Sequence, residues 1–445
     1  MTPNATLICP HSPVTPGMTA VVVGAAGSGM AAAELLHALG ARVRVVDSDG
    51  AKIADRARET MARLGCETVF GEHTAEQFAG AELVVPSPGV PVKKIAPLLP
   101  EGALVMAETE LAWLCVRQIP VLAVTGTNGK STTVSLCARM LEQAGKKVFL
   151  GGNFGTPLSR FVLDGGKADV LVLEVSSFQL QTCTAFHPKV GVLTNITVDH
   201  LDYHSDMQEY TDAKMRLFAR QTAEDTAIFG PGLDALPQEY GVRATVRRFD
   251  APEGTAPLFP QSRLMGRHNR QNVEAAYMAC AIFGVTQEEA ARAVRDFRAA
   301  EHTLEPVGEA GGVLFVNDSK ATTVDSVRVA LEAFDTPVLL LAGGKYKGGD
   351  LASLRGLLQG RVRAVGLYGG SREIFEQAWA GAAELSYDTT MQAAAAGLMR
   401  KAQPGDVLLL APATSSFDQY ANYKERGEDF RRIYAQFKAA EGAEQ

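Results

Sequence analysis

The chain has 445 residues, 46% hydrophobic and 21% charged, which at about 150 residues per domain is material for three packed cores. Its formal charge of -7 supplies no global field for nucleic acid, so positive charge for an anionic substrate must be concentrated locally. No apolar run approaches the ~20 residues of a membrane span, and the opening MTPNATLICPHSPVTPGM lacks a basic region followed by a long apolar core. The expectation is a soluble, cytoplasmic protein with no membrane insertion.

Three α/β blocks follow one another. The first has an apolar strand, Ala20 to Val23, a glycine turn, a helix from Met30 to Leu39, and a second strand, Val43 to Val46, ending at Asp47. That order is a βαβ unit of a parallel sheet. The second block opens with Val121 to Val124, then GTNGKSTT and a helix through Leu141. It continues with buried-type strands at Val170 to Leu173 and Val190 to Leu193. The stretch from Gly230 to Pro260 reads as loops and short strands. In the third block, Val313 to Val316, Val338 to Leu341, Ala364 to Leu367 and Val407 to Leu410 read as strands. Ser326 to Phe334 and Thr390 to Lys401 read as helices between them. The βα pattern restarts near Glu108 and near Ala300, so the expected domains are 1–109, 110–299 and 300–445. The first and last would be Rossmann-like, the middle a phosphate-loop ATPase domain with a parallel sheet.

The six cysteines are scattered without a C-x-x-C pair, so the expectation is free thiols in a reducing compartment.

Val124 to Thr132, VTGTNGKST, lies between an apolar strand and a helix, the context a phosphate-binding loop needs. Gly126, Thr127, Asn128 and Gly129 would bring backbone amides to the phosphates, with the helix dipole behind them. Lys130 would neutralise the terminal phosphates, and the Ser131 hydroxyl, followed by Thr132, would ligate Mg²⁺. Val124 stands where the commoner motif has its first glycine. A glycine turn beside a surface lysine is the plainer alternative.

The earlier turn, Gly24-Ala25-Ala26-Gly27-Ser28-Gly29, resembles a dinucleotide fingerprint but has Ala26 where the second glycine lets a pyrophosphate approach. A different nucleotide fits it, with Asp47 accepting from base or ribose; so does a turn that needs glycine only for close helix–strand packing. Glu174 ends a strand beside the phosphate loop, where it would ligate Mg²⁺ or begin a helix. His200, Asp202 and His204 alternate after the next strand and could share a cleft. His204 reads equally well as a satisfied polar residue. Lys214, in YTDAK, reads by itself as a solvated helix lysine.

Taken together, GTNGKST, EVSSFQL, TNITVDHLD, GRHNRQN, VNDSKATT and GGKYKGG recur in the order of the Mur ligase family and cover nearly the whole chain. EVSSFQL, NDSKAT and the tail Pro412-Ala-Thr-Ser-Ser-Phe-Asp-Gln resemble its D-glutamate-adding branch; the D-N-P-R of the diaminopimelate-adding branch is missing. The resemblance implies ATP-driven amide formation between D-glutamate and a UDP-N-acetylmuramoyl-L-alanine precursor, through an acyl phosphate, with ATP and two Mg²⁺ ions. It implies that Gly27, Ser28, Asp47, Ser87, Gly89 and Asn153 hold the UDP precursor. Lys130 and Ser131 would bind ATP phosphates and magnesium, and Glu174 and His200 the metals. Lys214 would be carbamylated and join them. Asn269 and Asn272 would recognise adenine, Asp318 the ribose, and Lys320 would stabilise developing negative charge. Thr322, Lys347, Ser416, Phe417 and Tyr423 would form the D-glutamate subsite. The chain is expected to act as a monomer, opening and closing around its substrates.

One position departs from the family pattern. Glu301-His302-Thr303 stands where these ligases have His-Arg, and Thr303 offers no guanidinium fork to phosphate. Arg298 or Arg270 is the expected substitute. Folylpolyglutamate synthases share the phosphate loop but need a pterin pocket. A Rossmann oxidoreductase would explain Gly24 to Asp47 and leave GTNGKST idle. A nucleotide sensor would have no use for Thr322, Lys347 or Ser416.

Overall fold

The structure, a computed structural model, describes residues 9–201, 203–252, 255–298 and 301–443. Asp202 and the expected boundary at Ala300 lie outside the described residues. The chain forms two compact units. Of the described residues, one holds those up to 252 with 258–261 and 271–296; the other holds 255–257, 262–270 and those from 297 onward.

The first unit contains two parallel sheets. In the first sheet, β1 (Thr19–Val23), β2 (Arg42–Asp47), β3 (Glu67–Phe70), β4 (Leu83–Pro86) and β5 (Leu104–Val105) lie in the order β3-β2-β1-β4-β5. In the second, β6 (Val121–Thr125), β7 (Val148–Gly152), β8 (Val170–Glu174), β9 (Val190–Leu193), β10 (Thr226–Phe229) and β11 (Thr245–Arg248) run β11-β10-β9-β6-β8-β7. Central strands such as VLAVT and VLVLE are buried at every position, as strands covered on both faces must be. In each sheet the order reverses beside the strand that carries the glycine turn, β1 or β6. Such a switch point opens a crevice at the carboxyl ends of the strands, where ligands bind.

Helix Glu108–Cys115 joins the two sheets, and its apolar residues belong to one continuous core with those of helices Gly27–Ala38 and Leu158–Leu163. Two of its carboxylates are buried as well. Glu110 accepts the backbone N–H groups of Thr184, Ala185 and Phe186, and Glu108 accepts that of Ser159 at 2.6 Å. Burial pushes the Glu108 carboxyl above its usual range. The anchors explain why so acidic a helix start sits in a core: Glu110 caps a loop and Glu108 the first turn of helix Leu158–Leu163, whose amides would otherwise be unpaired.

The expectation of six free thiols is corrected at one pair. Cys9 and Cys115, 106 residues apart, are disulfide-bonded with their Cα atoms 4.7 Å apart, while Cys66, Cys137, Cys183 and Cys280 are free. Spacing rules see neighbours in sequence; this pair is made by the fold, and scattered cysteines therefore carry no argument about compartment. Among the described residues no helix is long and apolar enough to cross a membrane.

The second unit has one sheet. β12 (Glu305–Ala310), β13 (Val313–Asn317), β14 (Val338–Gly343), β15 (Val362–Tyr368), β16 (Glu384–Asp388) and β17 (Val407–Leu410) lie in the order β12-β13-β17-β14-β15-β16. Only β12 is antiparallel, a hairpin partner of β13. Apolar clusters fill both faces, with Leu340 and Trp379 on one and Leu341 and Phe430 on the other.

Candidate functional site

The phosphate loop is shaped by contacts that leave no room for side chains. Gly126 has φ +148°, and a Cβ there would stand 1.9 Å from Thr194 Oγ1; Gly129 has φ +83°, and its Cβ would meet Asn272 Oδ1 at 2.3 Å. Asn195, at the end of the neighbouring β9, clamps the turn. Its Oδ1 accepts from the Asn128 amide at 2.9 Å, its Nδ2 donates to Asn128 O at 3.1 Å, and its carbonyl accepts from the Thr127 amide at 2.9 Å. Gly129 is then the N-cap of helix Lys130–Gln143 and brings no side-chain cap, so the first-turn amides and the positive end of a 14-residue helix face the turn.

Beside the loop the polar side chains converge. The Ser131 hydroxyl donates to Glu174 Oε2 at 2.6 Å, and Asn153 Nδ2 donates to Glu174 Oε1 at 2.7 Å. Lys130 Nζ lies over the loop, donating to Gly126 O at 2.9 Å and Thr127 O at 2.7 Å. Lys214, expected from sequence to be solvated, is instead buried, and its Nζ donates to the same Gly126 carbonyl at 2.8 Å. It stands 4.3 Å from the centroid of the Tyr210 ring, whose hydroxyl meets Thr127 Oγ1 at 3.1 Å. Burial, then the neighbouring Lys130 charge, pulls the Lys214 amine well below the ordinary lysine range, against the attraction of Asp199 and Glu174.

His200 is held in the left-handed region at φ +55°, with its carbonyl accepting from the amides of Tyr203 and His204. Its ring packs 4.7 Å from that of Phe178 and remains partly exposed. His204 does not share that exposure. It is buried, stacked on Phe178, and bonded through Nε2 to Ser177 Oγ at 3.0 Å, while its buried Nδ1 stands 4.0 Å from Glu209 Oε1, so the plainer alternative holds for one ring nitrogen only.

At the first sheet, Asp47 accepts the Ala25 amide at 2.8 Å and the Asp49 amide at 2.9 Å, one on each oxygen. Each oxygen retains a lone pair for a ligand hydroxyl. A Cβ on Gly29 would stand 1.9 Å from Gly24 O, so this glycine serves close helix–strand packing. Gly27 and Ser28 open the helix, and with Asp47, Met30, Ile53 and Arg63 Gly27 lines a cavity of about 980 Å³. Ser87 donates to Gly24 O at 3.1 Å and begins a turn through exposed Gly89, closed by the Val90 amide on Ser87 O. Tyr203 Oη donates to Val90 O at 3.1 Å, which ties this turn to the His200 segment.

In the second unit the loops after β13, β14 and β17 are knitted at the carboxyl ends of adjacent strands. Lys345 and Ser415 exchange backbone hydrogen bonds, Thr414 Oγ1 donates to Gly343 O at 2.6 Å, and the Ala413 amide donates to Ala321 O at 3.0 Å. Asp318 is buried, accepts the Leu304 amide at 3.1 Å, and has its pKa raised to about 7 by burial, against that hydrogen bond and Lys320. Ser416 is buried, Phe417 is exposed, and Lys347 Nζ lies 6.0 Å from the centroid of its ring. Thr322 donates its amide to Lys320 O at 2.8 Å, and Tyr423 accepts from Ser319 Oγ at 2.7 Å.

Family models match along the chain: a MurD-like N-terminal domain at residues 18–101, the Mur ligase middle domain at 124–235, and the Mur ligase glutamate ligase domain at 304–414. A UDP-N-acetylmuramoylalanine–D-glutamate ligase of Oleidesulfovibrio alaskensis is 56% identical over 437 residues, covering 96% of each chain. The chain belongs to the Mur ligase family. The ligase of the same name from Acidobacterium capsulatum is 40% identical over 443 residues, covering 94% of this chain and 96% of its own. Among solved structures, MurF from Acinetobacter baumannii superposes with a TM-score of 0.59 at 16% identity, covering 94% of this chain and 93% of that one. Thermotoga maritima MurF in complex with ADP gives 0.56 at 16%, covering 98% of each. At that identity the likeness is one of fold, and it is the three-domain α/β architecture of Mur ligases.

Within this Mur ligase chain, the structure brings Lys130 and Lys214 onto one carbonyl, Gly126 O, and Ser131 and Asn153 onto one carboxylate, Glu174, with Asn272 against the loop. Asn269, whose Nδ2 donates to Met265 O at 2.8 Å, belongs to the other unit. Arg298 donates to Phe297 O and Arg270 to Thr255 O, while Thr303 Oγ1 is buried with no hydrogen-bond partner among the described residues. The donors beside the loop suit magnesium. Ser131 and Glu174 are hard oxygen ligands, and the described residues hold no preassembled cluster of three acidic, histidine or cysteine side chains. Mg²⁺ is normally held by one or two carboxylates together with substrate phosphates. Asn195 and Tyr210 are neighbours of the loop that sequence reasoning missed.

Proposed function

We propose that this chain catalyses the ATP-dependent addition of D-glutamate to UDP-N-acetylmuramoyl-L-alanine in peptidoglycan precursor synthesis, the reaction for which its 56%-identical relatives are named. The observation that carries the reading is the Glu174 carboxylate, which holds Ser131 of the phosphate loop on one oxygen and Asn153 on the other. A nucleotide on the loop and a precursor on Asn153 would then meet at one carboxylate. The precursor's nucleotide end fits the cavity beside Gly27, Ser28 and Asp47, and its diphosphate the turn at Ser87 and Gly89.

Carboxylates resist attack by amines because charge and resonance oppose it. Transfer of the terminal phosphoryl group of ATP to the precursor's alanine carboxylate gives an acyl phosphate, which the D-glutamate amine attacks; the tetrahedral intermediate then expels phosphate. The protein's part is positioning and charge stabilisation. Lys130 and the amides of the first helical turn would hold the terminal phosphates, with Thr127, Asn128 and Thr132 completing the loop. Ser131, Glu174, His200 and carbamylated Lys214 would hold two Mg²⁺ ions, which would neutralise charge on the phosphates. Burial and the Lys130 charge favour the neutral form of the Lys214 amine, the form that adds carbon dioxide, and the resulting anion would attract the Lys130 ammonium bonded to the same carbonyl. Asn269 and Asn272 would read adenine, and Lys320 would stabilise the developing negative charge. Thr322, Lys347, Ser416, Phe417 and Tyr423 would form the amino-acid subsite. A reaction that consumes ATP belongs in the cytoplasm, and no step calls for more than one copy of the chain.

Amino-acid specificity tests the reading. With precursor and ATP saturating, phosphate release should be supported by D-glutamate and not by L-glutamate; equal rates with both enantiomers would contradict the assigned substrate. A second test follows from Asp318. As a carboxylate it would accept the ribose hydroxyls, and with a pKa of about 7 it loses that charge as pH falls. KM for ATP should therefore rise from pH 8 to pH 6, and Asp318→Asn should have a high KM that no longer follows this part of the profile. A wild-type profile shared by the variant would remove Asp318 from the ribose.

A further inference from the structure

Arg426 is fully buried, yet among the described residues its guanidinium finds no carboxylate at ion-pair distance. Nε donates to Ser319 Oγ at 3.0 Å, Nη2 to Ser319 O at 2.8 Å and Nη1 to Thr414 O at 3.2 Å. A buried cation with only hydroxyl and carbonyl hydrogen-bond partners is costly, and the acidic groups Asp418 and Asp429 reach it only through the shared Tyr368 environment.

Its partners show where the charge is aimed. Ser319 sits between Asp318 and Lys320 in the loop after β13, and Thr414 stands two residues before Ser416 in the loop after β17, the strand paired with β13. Thr414 reaches on to Gly343 through its hydroxyl, and a Cβ added to Gly344 would lie 3.3 Å from Arg426 Nη1. Ser319 Oγ, which accepts from Arg426, donates in turn to Tyr423 O at 2.7 Å. One guanidinium thus braces the three loops, 319–322, 343–347 and 414–423, that carry every residue proposed for the D-glutamate subsite.

We propose that Arg426 is the positioning and specificity residue of the amino-acid subsite: its planar fork sets the spacing of these loops, and its unpaired charge biases the pocket toward an amino acid with a second carboxylate. It acts from behind the loops and touches no substrate. The inference rests on the reading that D-glutamate binds there.

The test uses the full-length enzyme with Arg426→Lys, Arg426→Met and Ser319→Ala. Phosphate release is followed against D-glutamate, D-glutamine and ATP, with the melting temperature measured alongside. Lysine keeps the charge but cannot span three acceptors. Arg426→Lys should raise KM for D-glutamate about 10-fold, the loss of one or two charge-assisted hydrogen bonds, and keep the preference for D-glutamate over D-glutamine. Arg426→Met should abolish most of that preference and raise KM for D-glutamate well beyond KM for ATP, which can shift as well because Ser319 adjoins Asp318. Ser319→Ala should raise KM for D-glutamate several-fold and keep the preference, and with Arg426→Lys it decides the matter if the methionine variant does not fold. Folded variants with unchanged KM and preference, or with kcat falling in step with lost melting temperature and both KM values untouched, would overturn the inference. A wild-type enzyme indifferent to D-glutamate would instead defeat the reading beneath it.

Discussion

Lys130→Ala is expected to lower phosphate release by about 10²–10³-fold, with the fold and melting temperature nearly unchanged. The side chain contributes nothing to the core: its ammonium lies over the carbonyls of Gly126 and Thr127, and Asn195 holds the loop independently of it. The assigned role is confined to charge on the phosphates, where removing one preorganised cation or donor costs about 3–4 kcal/mol of transition-state stabilisation. Because the loss falls in the chemical step, kcat should carry it and KM for D-glutamate should not. Turnover near normal in this variant would remove the phosphate-loop assignment altogether.

Lys214 carries the second large effect. Lys214→Arg keeps a long cation but cannot form a carbamate, and activity should fall by about 10²–10³-fold, the usual range for a lost electrostatic partner in a buried site. Depletion of carbon dioxide and bicarbonate should lower wild-type activity slowly, and their return should restore it. A ¹³C-labelled supply should give one carbamate carbonyl resonance in wild type that Lys214→Arg lacks. The pH dependence follows from the neutral amine being the reacting form. Burial and Lys130 depress the Lys214 pKa, so the amine is available at lower pH than for a surface lysine, and carbamylation should fade only on acidification. Full activity in carbon-dioxide-free buffer, with no labelled resonance, would contradict this role.

Much of the fold was legible where the signal was local. Apolar runs such as Val121 to Val124 and Val407 to Leu410 became central parallel strands within a residue of their expected bounds. Edge strands escaped notice for a physical reason. Glu67–Phe70 and Glu384–Asp388 lie at sheet edges, are covered on one side at most, and so mix polar with apolar residues. Short strands such as Thr226–Phe229 were too brief to separate from a buried turn. Helix Gly27–Ala38 begins three residues before the expected Met30, because its glycines signal a turn while the packing against Gly24 demands a helix.

The candidate site divides in the same way. The phosphate loop is one contiguous stretch and could be read from its own residues. Lys214 could not: its burial depends on a carbonyl 88 residues earlier in the chain. Asn195 clamps an amide 67 residues away, Tyr210 meets a threonine 83 away, and Arg426 braces a serine 107 away. No pattern of spacing records partnerships of that length, and Cys9 with Cys115 is a further case.

The central claim is that hydrolysis of ATP on the Lys130 turn is spent on joining an amino acid to a precursor held beside it. Phosphate release measured with each component omitted in turn tests this most directly. The account predicts release only when ATP, Mg²⁺, UDP-N-acetylmuramoyl-L-alanine and D-glutamate are all present, with one amide product formed per phosphate. Release that continues at the same rate without the precursor or without D-glutamate would contradict it.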